Sequence, residues 1–192
     1  MRTLLLASTS PYRRALLERL GLPFEVTAPQ VLEHAIPGEP PQLRAVRLAQ
    51  AKADAVAQRH PHALVIGSDQ VAALGTRVLH KPGDALHCRE QLAALSGSTA
   101  HFHTACALVG ERARISVSYL DTTSVVFRSL SAEEIERYVE REQPFDCAGS
   151  FKAEALGISL FTRIDSSDPT ALVGLPLIWL ASALRNCGYS LP

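Results

Sequence analysis

Two uninterrupted apolar runs of strand length constrain this chain more than any other feature: residues 3–8, around Leu4-Leu5-Leu6-Ala7, and residues 63–67, around Leu64-Val65-Ile66. A strand with one face in water alternates apolar and polar residues, whereas one without alternation has to be covered on both faces. Helices are therefore needed on both sides of a sheet, and the sequence supplies them. Ser10-Pro11 offers an N-cap followed by proline in a first helical turn. Leu16, Leu17 and Leu20 give that helix an apolar side, and Gly21 ends it. Residues 24–28 read as a short second strand and residues 29–41 as a proline-rich loop. Leu43, Val46, Ala49, Ala53 and Val56 mark a helix over residues 42–60.

Further along, Asp84 caps a helix that reaches about Leu95 and stops at Ser96-Gly97. Residues 99–109 and 115–127 are β-prone and flank a charged turn at Gly110-Glu111, which predicts a hairpin. Ser131-Ala132-Glu133-Glu134 is a capping box for a helix to about Arg141. A strand over residues 157–164, a turn at Asp168-Pro169 and a helix from about Pro176 to Asn186 complete the chain. This order mixes crossovers with hairpins and predicts an α/β fold with a mixed sheet flanked by helices, not a regular doubly wound one. With 192 residues, 47% of them hydrophobic, a single domain over residues 1–192 is expected, with room for two lobes around a cleft.

Charge narrows the partners. Lys+Arg and Asp+Glu number 19 each, so no overall field attracts polyanions, and neither a nucleic-acid polymer nor a membrane surface is an expected partner. Any anion site must be local. The opening Met1-Arg2-Thr3-Leu4-Leu5-Leu6-Ala7 is too short an apolar run for an export signal, and no stretch approaches the roughly 20 apolar residues of a bilayer span. Cys88, Cys106, Cys147 and Cys187 form no C-x-x-C pair and no zinc spacing with histidine, as thiols of a reducing compartment would. A cytoplasmic protein is expected.

Several groups could carry chemistry. Ser8, Thr9, Ser10, Tyr12, Arg13 and Arg14 run from a strand into a helix N-terminus. Free backbone N–H groups, the helix dipole, hydroxyls and guanidinium forks suit a phosphate chain there, although an ordinary capped helix has the same look. Asp69, in Gly67-Ser68-Asp69-Gln70, follows the second apolar run, at the strand end where open α/β sheets bind ligands. Its carboxylate can hold Mg²⁺, take a proton from water, or simply cap a turn. Lys52 lies in line with Leu48 and Val56, Lys81 precedes Pro82, and Glu33 lies in the proline-rich loop; snorkelling lysines and a solvated carboxylate are the plain alternatives. His101 and His103 share one strand face, more in the manner of a solvent-facing pair than of metal ligands. The sequence contains no P-loop and no nucleophile elbow, which argues against a Walker NTPase and against covalent catalysis.

Taken in order, Ser8-Thr9-Ser10-Pro11-Tyr12-Arg13-Arg14, Glu33, Lys52, Gly67-Ser68-Asp69-Gln70, Lys81-Pro82, Ser96-Gly97, Thr104, Ala148-Gly149-Ser150-Phe151 and Leu172-Val173-Gly174-Leu175-Pro176 resemble the Maf family across nearly the whole chain. Gln70 and the segment Cys147 through Glu154 are similar to the branch acting on 7-methyl-GTP rather than to the dTTP/UTP branch. The resemblance implies an elongated, twisted Maf/ITPase-like sheet. It also implies a divalent metal, Mg²⁺ or Mn²⁺, a homodimer, and cleavage of a nucleoside triphosphate between its α and β phosphates. By motif position, Asp69 would be the proton acceptor and Tyr12, Gln70 and Glu154 would set base preference. Ser8, Ser10, Arg13, Arg14, Lys52 and Lys81 would hold the phosphates, and Glu33 would share the metal with Asp69. Three positions depart from the family pattern: Leu32 where an acidic residue is usual, Tyr12 in place of tryptophan, and Ala105 in place of glycine, which narrows the room for backbone approach. Two other readings stand beside this one: a pyrophosphatase for dTTP, UTP or noncanonical nucleotides, and a nucleotide-binding regulator of cell division.

Overall fold

The computed structural model describes residues 2–192; Met1, part of the opening stretch weighed above as an export signal, lies outside them. The elements are β1 (Leu4–Ala7), α1 (Pro11–Glu18), β2 (Glu25–Val26), α2 (Pro41–Arg59), β3 (Leu64–Leu74), β4 (Arg77–Leu79), α3 (Ala85–Leu95), β5 (Thr99–Gly110), β6 (Ile115–Phe127), α4 (Ala132–Glu142), β7 (Phe161–Asp165) and α5 (Leu177–Asn186). They form the expected mixed α/β sheet, in the order β2-β1-β3-β5-β6-β7 with β4 on β3. β1 pairs in parallel with β2 and β3, and the other pairs are antiparallel.

The two apolar runs are covered on both faces. Leu4 and Leu6 of β1 and Leu64 and Ile66 of β3 pack with Leu16 and Leu17 of α1 and Leu180 and Leu184 of α5. Their neighbours Leu5, Ala7 and Val65 pack on the opposite face against Ala53, Val56 and Ala57 of α2. A separate apolar cluster joins Phe102, Val125 and Phe127 to α3, α4 and the ring of Phe151. The capping predictions hold in detail. Ser10, Asp84 and Ser131 accept from the backbone N–H three residues on, and Glu134 returns the bond to Ser131.

The structure differs from expectation along β3. This strand does not end at Gly67 but continues through Ser68-Asp69-Gln70 to Leu74, then turns at Gly75 into the unforeseen β4. Polar residues are tolerated in mid-strand because each finds a partner, as described below. Similarly, residues 157–164 are not one strand: Leu156–Leu160 forms a 3-10 turn, and β7 begins at Phe161. No helix among the described residues is long and apolar enough to cross a membrane, and all four cysteines are free.

Candidate active site

The edge of β3 opposite β5 has two neighbours with a gap between them. β1 keeps register with it only as far as Gly67, and β4 only from Ala72. Ser68 through Val71 lie in this interval. A cavity of about 610 Å³ opens there, lined on this edge by Asp69, Gln70 and Val71 and at the end of β1 by Ser8, Thr9 and Ser10.

Successive residues of a strand face opposite sides, so Asp69 and Gln70 look in different directions. Asp69 shares the α2 side with Gly67, where a Cβ would stand inside the carbonyl oxygen of Ala49 and 2.8 Å from the Cβ of Ala53. Only a glycine lets α2 come this close, and that approach brings Lys52 to Asp69. The Lys52 Nζ donates to Asp69 Oδ1 at 2.6 Å and lies 2.7 Å from Glu33 Oε1. Lys52 and Asp69 are both more than nine-tenths buried. Burial pushes the Asp69 carboxyl above its ordinary value, against the pull of Lys52 and Arg13. Burial also acts upward on Glu33, but there the hydrogen bond and charge of Lys52, with Arg13 and Lys81, prevail and the net direction is down. Two carboxylates of unlike basicity thus share one ammonium.

On the other face Gln70 meets the turn at residues 171–174. Its amide nitrogen donates to Thr104 Oγ1 at 2.9 Å and to the carbonyls of Ala171 and Leu172 at 3.2 and 2.9 Å. Thr104 spends its own proton on Ala171 O at 2.9 Å, so its oxygen can only accept from Gln70. The nitrogen of Gln70 is therefore committed, and its carbonyl oxygen alone remains for a ligand. Gly174 O accepts from Ser68 Oγ and from Arg13 Nε, each at 2.9 Å, which fixes Arg13 across the cavity floor. Burial lowers the affinity of Arg13 for its proton, with Asp69 and Glu33 opposing. Ser8 Oγ accepts from Ser10 N at 3.1 Å, leaving the hydroxyl protons of both serines to donate.

The last wall is the segment at residues 146–154. Ser150, wholly buried, donates to Gln91 Oε1 at 2.9 Å, and Phe151 inserts among Phe102, Phe127 and Phe161. So anchored, the segment carries exposed Glu154 to the cavity rim. The Tyr12 hydroxyl donates to Asp146 Oδ2 at 3.1 Å, and burial with the neighbouring Cys147 and Asp146 keeps it protonated.

A model of the Maf-like protein family matches residues 3–187. The chain belongs to the Maf family. A protein of Xanthomonas axonopodis pv. citri (strain 306) bearing the name 7-methyl-GTP pyrophosphatase is 56% identical over 192 residues, the whole of both chains. Proteins of the same name from Aromatoleum aromaticum and Cupriavidus pinatubonensis are 54% and 52% identical. They align over 98% and 97% of this chain and 97% and 94% of their own.

Of the residues expected from the Maf resemblance, Ser8, Ser10, Tyr12, Arg13, Glu33, Lys52, Asp69, Gln70, Lys81 and Glu154 all border the one cavity. Arg14 does not. It is exposed and pairs with Glu18 at 3.0 Å, since consecutive helix positions point about 100° apart and Arg13 holds the inward one. Ala105, thought to narrow the approach, packs beside Ala45, Ala49 and Val71 and is no part of the cavity wall. His101 and His103 bond to Ser124 and Thr122 of the adjacent strand, away from the cavity. Arg44, in no motif of the sequence, and Lys152, within the segment Cys147 through Glu154 but without a role of its own there, also line the cavity. Arg44 had a signal: with Leu48 and Lys52 it repeats every fourth residue along one helix face.

Proposed function

We propose that this chain hydrolyses the α–β phosphoanhydride of 7-methyl-GTP, releasing 7-methyl-GMP and pyrophosphate, as a single domain whose lobes flank the cavity. The observation that carries this reading is the Glu33–Lys52–Asp69 triad, with its lysine and aspartate buried and its glutamate exposed, in a cavity walled by further cations. Phosphoanhydride hydrolysis needs charge neutralisation and an oriented water more than covalent help. Arg13, Lys52 and Lys81 supply cations, and the serine hydroxyls of residues 8 and 10 supply donors. Asp69 takes the proton of the attacking water, a role its raised basicity favours. Glu154 accepts from the guanine N1–H and exocyclic amine, Tyr12 offers an aromatic face to the cationic methylated ring, and Gln70 accepts through its free oxygen.

Among the described residues no three His, Cys, Asp or Glu side chains gather as a metal site. A divalent cation of the Mg²⁺ type takes only one or two carboxylates beside substrate phosphates, and Glu33 and Asp69, hard oxygen donors on a common ammonium, fit that demand. Bound there, Mg²⁺ or Mn²⁺ would neutralise phosphate charge and acidify water. A nucleotide panel assayed with and without Mg²⁺, Mn²⁺ and excess chelator, with products identified, tests the reading. Pyrophosphate released fastest from 7-methyl-GTP, and only with metal, is expected. A preference for dTTP or UTP would move the chain to the other branch, and tight binding without turnover would make it a regulator.

A further inference from the structure

Among the described residues, the one buried side-chain nitrogen or oxygen without a hydrogen-bond partner is the Nε of Arg44. Arg44 lies in the first turn of α2 and lines the cavity on the same helix face as Leu48 and Lys52. Neighbouring charges are already engaged. Arg47 bonds both carboxylate oxygens of Glu39, at 2.6 Å each, so Glu39 has little left for Arg44. A guanidinium N–H withdrawn from water without an acceptor is destabilising, and its retention on a cavity wall is explained by an acceptor that arrives with a ligand.

Position along α2 says which part of the ligand. Eight residues separate Arg44 from Lys52, roughly 12 Å along the helix axis. Lys52 holds the carboxylates at which, on the reading proposed above, the α phosphate reacts. The base-side residues come from α1, from Gln70 of β3 and from the segment at residues 146–154, none of them on α2, whereas Arg44 stands toward the positive N-terminal end of α2. We propose that Arg44 binds the β and γ phosphates, the part that leaves as pyrophosphate, and so selects triphosphates by their far end. This inference rests on the proposed reaction for its orientation.

Calorimetric titration of inorganic pyrophosphate and, separately, of 7-methyl-GMP into wild type, Arg44→Gln and Arg44→Lys, all with Mg²⁺, tests it. Arg44→Gln is expected to weaken pyrophosphate about tenfold or more, the loss usual for a charge-assisted bond, and to change 7-methyl-GMP by less than about twofold. Arg44→Lys, a point charge without the fork, should recover part of the loss. Equal pyrophosphate affinity in wild type and Arg44→Gln, or a parallel loss for 7-methyl-GMP, would overturn the assignment. Binding needs no turnover, so absent hydrolysis of 7-methyl-GTP by wild type would count against the reaction and leave the Arg44 measurement readable.

Discussion

Lys52 Nζ donates to Asp69 Oδ1 at 2.6 Å across the packing of α2 on β3, so the candidate base and its countercharge come from different elements. The pair exists because Gly67, two residues before Asp69, has no side chain to hold the helix away.

Replacing Asp69 by asparagine should lower kcat/KM on 7-methyl-GTP by roughly 10²–10⁴-fold, the range of a positioned general base. The variant should stay folded, because Lys52 retains Glu33 at 2.7 Å. Circular dichroism and steady-state kinetics check both points, and near-normal turnover in the folded variant would remove Asp69 from the chemistry.

The pH profile should carry the mark of burial. Asp69 acts only when ionised, and its carboxyl lies above the ordinary value of 3.8. Activity is therefore lost as pH falls through that raised value, and the acid limb of kcat/KM should sit above the position of an exposed aspartate. In Asp69→Asn the residual activity should lack this limb. An acid limb that persists unchanged in Asp69→Asn would contradict the assignment.

Glu154→Gln should reduce kcat/KM on 7-methyl-GTP more than on UTP. The amide replaces one acceptor facing guanine with a donor and removes the charge that complements the methylated ring. The aromatic face of Tyr12 keeps its cation–π contribution, about 0.5–2 kcal/mol, so discrimination should fall without vanishing. An unchanged ratio of the two specificity constants would place Glu154 outside base recognition.

Gly67→Ala tests the scaffold. The added methyl meets the backbone of α2, which cannot yield as a flexible side chain does. Overpacking of this kind costs about 1–3 kcal/mol, and each kcal/mol is worth about 2–4 °C of Tm in a chain of this length. Thermal melting should show the drop, and activity should fall further than stability because Lys52 is moved from Asp69. Wild-type Tm and turnover would refute the close-approach argument.

Much of the architecture was legible locally. The apolar runs at residues 3–8 and 63–67 required cover on two faces, and Leu4 and Leu5 now pack on opposite sides of β1. Ser10, Asp84 and Ser131 announced helix starts because a cap satisfies the N–H groups of its own first turn, an interaction closed within a few residues. The family motifs likewise named most of the cavity wall.

The sequence by itself determined the helices and most of the strands, though not β4 or the turn at residues 156–160, and which residue types are present to handle phosphate. Tertiary structure alone decided that β3 runs on through Asp69, because the partners that make polar residues stable there, Lys52, Thr104 and the turn at residues 171–174, are far away in the chain. It also decided that Arg13 faces the cavity while Arg14 pairs with Glu18, and that Arg44 joins Lys52 on its wall. Periodicity states which residues share a face of an element. Which face meets the site depends on register and packing between elements, and those are fixed only when the distant segments come together.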